Sequence, residues 1–392
     1  MIDAGSSGSR VHIYRFNYCK QVPELENEVF HMMQPGLSSF GDPVEAADSL
    51  DPLLQIAIGS VPEGFHHCTP IAIKATAGLR LLGKEQSDKI LEEVRTRLKT
   101  RYPFPVHAVD IMEGKDEGIY AWITVNYLLG KLTKTKYGQS AAIFDLGGAS
   151  TQIVFEPSLP RDQVSQQEEH LNFDGRQYLL YQHSHLGYGL NEARRRIKTE
   201  AIESNQAGSP VYHPCLPENH TETIDWKQEN STRSVNLVGT GAGHAECRAV
   251  IERLFDKEKP CPVKPCAFDG IYQPSLTDTF KNRDLYAFSF FYDLTQPLGL
   301  PLEFSVAELG KVANNVCAGR SHLFRHIPGA LRHLRAAPDY CLDLTYAYAL
   351  LHTGYELPPE RLVRTAKKIR DTETGWCLGA SIAMLDEGKT CY

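Results

Sequence analysis

Apolar and polar residues alternate through VHIYRF at 11–16, where Val11 and Ile13 interleave with His12 and Tyr14. This period of two predicts a strand. Similar runs stand at AAIF (141–144) and QIVF (152–155). Against them lie two small-residue loops, DAGSSGSR (3–10) and DLGGASTQ (145–152), so each loop is predicted to be the turn of a hairpin. A Walker-type phosphate loop is excluded, because it needs a following helix and a Gly-Lys-Ser/Thr ending, both missing here. The two segments align at a constant offset of 142, matching Asp3 with Asp145, Gly5 with Gly147, Gly8 with Ser150 and Val11 with Ile153. An internal repeat of one structural unit is the reading.

Between the loops, IAIKATAG (71–78) predicts a buried strand ending in a small-residue turn. SDKILEEVRTRLKT (87–100) predicts an amphipathic helix capped by Ser87, with Ile90, Val94 and Leu98 as its apolar stripe. EGIYAWITVNYLLG (117–130) predicts a second helix, stopped at Gly130. Residues 158–172 and 203–234 are polar and read as surface insertions. AFSFFYDL, the Pro-Leu pairs at 297–302 and the tail GWCLGASIAML add further apolar elements. Strands mixed with helices indicate an α/β architecture.

At 392 residues the chain exceeds one ordinary core, and two lobes are expected. The net charge of −7, without any Lys/Arg run, argues against nucleic acid as partner. Ten cysteines lack the paired CxxC spacing of a zinc site, and CPVKPC (Cys261, Cys266) reads as a small stapled loop. Glycosylation acceptors stand at Asn219 in NHT and Asn230 in NST. Together these features favour an oxidising, secretory compartment. No apolar run reaches the ~18 residues of a membrane span. Met1-Ile2 supply only the tail of a strand before Asp3, so the sequence reads as N-terminally truncated, lacking an anchor.

Glycine lets backbone N–H groups approach a ligand, and successive N–H groups form an anion-binding nest. Ser6, Ser7, Ser9, Ser150 and Thr151 add hydroxyl donors. Two such cradles suit adjacent phosphates, with Asp3 and Asp145 facing one hard divalent ion through its water. Glu117, expected in the first turn of its helix, is a candidate base for water, with Glu113 and Asp116 as competitors. Thr76 in ATAG forms a third small-residue turn that reads equally as a helix entry. Tyr292 and Trp376 are aromatic candidates for stacking a nucleobase. His183 and His185 in QHSHLGYG read as a packed or surface pair, not a metal site.

DAGSSGSRVHIY, IKATAGLRLL, EGKDEGIYAWITVNYLL and IFDLGGASTQIVFEP, joined by FDGIYQPSL, AFSFFYD and GWCLGAS, together resemble the apyrase, or nucleoside triphosphate diphosphohydrolase, family. PGLSSF, SLDPLL, SHLGYGL and LLHTGYELP reinforce the match over essentially the whole chain, which within the family is most similar to the Golgi guanosine diphosphatases. The resemblance implies two RNase-H-like lobes of the actin/Hsp70/hexokinase-like superfold with a cleft between them: residues 1–113 plus 367–392, and residues 114–366. It implies Glu117 as catalytic base, and Ser6, Ser7, Gly8, Gly147, Gly148, Ala149 and Ser150 at phosphate. Asp3, Thr76, Glu117, Asp145, Ser150 and Gln152 would surround a divalent cation (calcium, manganese or magnesium), mostly through water, and Tyr292 and Trp376 would sandwich the base. It suggests the disulfides Cys261–Cys266, Cys317–Cys341, Cys215–Cys247, Cys377–Cys391 and Cys19–Cys68. Tyr188-Gly189 is followed by Leu190, where cell-surface members carry a basic residue, so their base contacts do not transfer.

The expected activity is metal-dependent hydrolysis of nucleoside diphosphates, GDP and also UDP, to the monophosphate and phosphate. The resemblance places it in the Golgi lumen, on a single-pass type II anchor, in support of nucleotide-sugar exchange and glycosylation. The competing reading within the family is a broad-specificity apyrase acting on tri- and diphosphates. A sugar kinase of the same superfold and a non-enzymatic nucleotide-binding module are the rivals outside it.

Overall fold

The computed structural model describes residues 1–17, 19, 23–132, 140–158, 168–205, 210–228 and 231–385. The chain divides into two compact units. The first comprises Met1–Glu156, Val164–Gly189 and Ala366–Tyr392, and the second Pro157–Gln163 and Leu190–Thr365.

In the first unit, β1 (Ile2–Ala4) runs antiparallel to β2 (Ser9–Asn17), and β2 antiparallel to β3 (Glu24–Met33). On its other side β1 lies parallel to β4 (Ile71–Ala75), and β4 parallel to β5 (Val106–Ile111), giving the order β3-β2-β1-β4-β5. Helices α1 (Pro43–Asp48), α2 (Asp51–Ser60), α3 (Ala77–Leu82) and α4 (Lys84–Arg101) accompany this sheet. Its core contains Ile2, Val11, Leu53, Ile73 and the expected stripe Ile90, Val94 and Leu98. Ser87 does not cap α4, which begins three residues earlier. Gly83, at φ +95°, makes the break between α3 and α4, and Ser87 lies buried inside the helix, its Oγ donating to the Leu79 carbonyl at 2.8 Å.

Helix α5 (Gly114–Leu128) starts three residues ahead of the expected Glu117, and Gly130 follows its end at φ +67°. Strands β6 (Ala142–Leu146), β7 (Ser150–Phe155), β8 (Glu168–Phe173) and β9 (Arg176–Leu186) are antiparallel neighbours in the order β6-β7-β9-β8. Both small-residue loops thus are hairpin turns. The units do not divide after residue 113, because α5 packs against β7, β9 and the C-terminal helix Cys377–Leu385. Gly379 N–H donates to Thr124 Oγ1 at 2.8 Å, and this close approach keeps α5 and its strands with the first unit.

The second unit carries α6 (Leu190–Glu203), α7 (His244–Arg253) and a sheet of β10 (Val211–His213), β11 (Thr221–Gln228) and β12 (Ser231–Gly239) in the order β10-β12-β11. Parts of the expected insertions are therefore regular strands: β8 in one, β10 and β11 in the other. Ile224 and Trp226, two apart on β11, pack on Val211, Leu216, Val235 and Leu237, and that period of two is masked by polar neighbours. Strand β13 (Leu285–Ser289) lies parallel to β15 (Leu362–Thr365), which pairs antiparallel with β14 (Glu303–Ser305).

Cys215–Cys247, Cys261–Cys266 and Cys317–Cys341 are disulfides. Cys19–Cys68 is not formed: Cys19 is a free thiol on an exposed turn, while Cys68 is disulfide-bonded, though not to Cys19. Cys377 is also free, which removes the Cys377–Cys391 pair; Cys391 lies outside the described residues. The Cys377 side chain is buried within reach of Asp3, and burial pushes its thiol well above the ordinary range. Asn219 is exposed on a turn, and Asn230 lies outside the described residues. Among the described residues no helix is long and apolar enough to cross a membrane.

Candidate active site

The strand register carries the internal repeat down to single side chains. In the first hairpin Asp3 stands opposite Arg10, and in the second Asp145 stands opposite Gln152. Both aspartates stand one residue before the end of the strand that leads into a turn of small residues. Arg10 holds the first turn together, with Nη1 3.1 Å from Asp3 Oδ2 and 3.3 Å from the Gly8 carbonyl, and Nη2 3.2 Å from Ser7 Oγ.

Glu117 lies beside both hairpins, in the first unit. It sits in the first turn of α5 and is 8% exposed. Arg80, on α3, reaches it: Nη2 is 2.6 Å from Glu117 Oε2 and 3.4 Å from Ser150 Oγ, and Nη1 is 3.2 Å from the Met112 carbonyl. Burial pushes the Glu117 carboxyl up to about 7; Arg80 opposes that rise, while Asp145 and Asp3 add to it. A carboxylate poised near neutrality and sensed by both aspartates suits proton transfer at working pH. Asp116, by contrast, is more exposed, and Glu113 occupies the cap position of α5.

The turns offer backbone donors, though not all those expected. Gly147 N–H closes its own turn on the Ser150 carbonyl at 3.1 Å, so this residue shapes the loop and does not donate to a phosphate. The amides of Ser6, Ser7, Gly148 and Ala149 donate to no acceptor among the described residues. Each loop is backed by a glycine that follows the neighbouring strand. A Cβ on Gly36, after β3, would strike the Gly5 carbonyl; one on Gly189, after β9, would strike the Ala149 and Ser150 nitrogens. Gly189→Ala should therefore push the second loop out of place and lower kcat by about 10²-fold, the cost of a ~1 Å misplacement at a catalytic site. Steady-state rates with an unaltered melting temperature would show that; wild-type kcat would refute it.

A hard divalent ion takes oxygen ligands. Asp3 Oδ1 and Gln152 Oε1 are buried acceptor oxygens without a hydrogen-bond partner. Thr76 begins α3, as the helix-entry reading had it, yet its hydroxyl makes no capping bond. This donor set fits such an ion. Among the described residues no three His, Cys, Asp or Glu side chains are grouped to hold one directly, so the fit is to a cation with much of its water retained.

Trp376 is buried within the first unit. It is 4% exposed and lies near Asp3, whose carboxyl burial raises while Arg10 and His12 pull it down. Tyr292 lies in the second unit, partly buried on the short helix Phe290–Thr295. His183 and His185 pack edge to face, 4.4 Å between centroids.

Sequence reasoning missed Arg80. The cue was its place four residues after Thr76 in IKATAGLRLL, one turn into a helix that opens at the site.

Two glycine-serine hairpins thus offer backbone donors beside a buried carboxylate held by an arginine. The chain belongs to the GDA1/CD39 (nucleoside phosphatase) family, whose sequence profile matches residues 1–390. It is 48% identical over 431 residues to the probable guanosine-diphosphatase of Aspergillus fumigatus, covering 100% of this chain and 86% of that one. It is 46% identical over 411 residues to the guanosine-diphosphatase of Saccharomyces cerevisiae, covering 98% and 79%. Its fold is similar to the crystal structure of a nucleoside triphosphate hydrolase from Neospora caninum, with a TM-score of 0.66, 15% identity and coverage of 98% and 92%. The family resemblance read from the sequence is borne out, as is the mixed α/β class.

Proposed function

We propose that the protein hydrolyses nucleoside diphosphates, GDP foremost, to the monophosphate and phosphate. The observation that carries this reading is the buried Glu117, 2.6 Å from Arg80 and electrostatically coupled to the aspartates of both hairpins. The two relatives named guanosine-diphosphatases, at 48% and 46% identity, support the choice of substrate.

Ser6, Ser7, Gly148 and Ala149 would donate their amides to the phosphate oxygens. Glu117 would orient a water and take its proton as the water oxygen attacks the terminal phosphorus in line; the bond to the bridging oxygen breaks, and GMP leaves without a covalent phosphoenzyme. Arg80 would keep the carboxylate ionised and aimed. A divalent ion near Asp3, Asp145, Thr76, Ser150 and Gln152, when bound, would offset charge on the phosphates. Tyr292 remains the candidate for contact with the base. Disulfides such as Cys215–Cys247, Cys261–Cys266 and Cys317–Cys341, with the exposed Asn219 sequon, support a lumenal, secretory setting such as the Golgi.

The test is phosphate release from GDP, UDP, ADP, CDP and GTP with calcium, manganese or magnesium, and with chelator. GDP should be turned over fastest, and chelator should abolish release. Faster turnover of GTP would overturn the diphosphate preference, and full activity in chelator would overturn the cation.

A further inference from the structure

QHSHLGYG holds a residue to which the reaction above assigns nothing. On β9 Ser184 stands directly opposite Gln152 of β7. Gln152 Nε2 lies 2.9 Å from Ser184 Oγ and 2.8 Å from Ser150 Oγ. A primary amide carries two N–H donors and one acceptor oxygen. Both donors are thus taken by hydroxyls on one side of the group. Oε1 is left buried and without a partner on the other.

We propose that Ser184 is a positioning residue for the cation: it locks the Gln152 amide in the orientation that presents Oε1, not NH2, to the ion and its water. With only Ser150 to hold it, the amide could rotate and aim its partly positive NH2 at a cation, which repels it. The neighbourhood is built to admit this serine. Gly114, at the start of α5, lacks a Cβ that would come within 2.5 Å of Ser184 Cβ. The repeat explains why the arrangement exists in one hairpin only. The residue equivalent to Gln152 in the first hairpin is Arg10, whose charge already occupies Asp3 Oδ2, so at this position only the second hairpin offers an uncharged amide oxygen.

The inference rests on the cation dependence proposed above, and manganese alone is the probe. Free Mn²⁺ is counted by electron paramagnetic resonance during titration of wild type, Ser184→Ala, Gln152→Glu and the double variant. Ser184→Ala should weaken manganese binding about tenfold, in line with the loss of a partner that orients a ligand. It should raise the manganese needed for half-maximal activity while leaving kcat at saturating manganese near wild type. In the Gln152→Glu background the same serine change should shift binding no more than about twofold, because a carboxylate offers an oxygen in either orientation. Tight manganese binding by Ser184→Ala, or an equal loss in both backgrounds, would overturn the inference while leaving the cation dependence standing. Wild-type protein that binds no manganese would overturn both.

Discussion

Glu117→Gln should lower kcat by about 10²–10⁴, the usual cost of losing a general base, with little change in KM. The substitution keeps shape and burial and removes only the proton acceptor. The pH profile supplies a second reading. Glu117 works as a base when ionised, and burial has raised its carboxyl to about 7, so wild-type kcat should climb through that pH and level off above it. The variant should show no such limb. Stability should move the other way. A carboxyl whose pKa is raised in the folded state binds its proton more tightly there than in the unfolded chain, so its contribution is complete below the ordinary value of 4.5 and is lost as pH rises through about 7. In chelator, Glu117→Gln should melt above wild type at pH 8.5 and alongside it near pH 4.5. A variant with near-wild-type turnover would remove Glu117 from the mechanism.

Arg80→Ala should lower kcat at pH 7 by about 10²-fold, since it removes both the fork that aims Glu117 and the charge that keeps it ionised. The nearby positive charge opposes the rise in the Glu117 pKa. Its loss should move the limb upward by ~1–3 pH units, the range for an opposite charge in contact with a carboxyl. Part of the missing activity should therefore return at pH 9. Arg80→Lys keeps the charge but loses the second nitrogen, which holds the Met112 carbonyl while the first holds Glu117, and should fall between. An unchanged midpoint in Arg80→Ala would mean that the 2.6 Å pair has no part in setting the base.

Much of this site was legible before any fold. Strand alternation beside glycine and serine is a local signal, and the offset of 142 pairs two such signals without any tertiary knowledge. The hairpins, their aspartates and the first-turn placement of Glu117 all follow from a few neighbouring residues. Choosing Glu117 over Glu113 and Asp116 rested on family resemblance; burial and the contact with Arg80 now supply a physical ground. Arg80 in GLRLL carries no local mark of its partner. Only the fold carries it across 37 residues to the base.

The same holds for other residues. A flat ring near the C-terminus, Trp376, carries no local mark of how deeply it is buried. Cys377 could be called paired because spacing says nothing about the direction of a thiol. Ser184 was passed over between two histidines, since a strand shows its alternation but not what faces it. The chain alone determined its periodic elements, its repeat and the chemical types at the turns, because these depend on φ/ψ preference and on neighbours within a few positions. Tertiary structure decided which carboxylate is buried, which arginine answers it and which amide oxygen is left open. Those depend on desolvation and on contacts between distant segments, and neither is encoded locally.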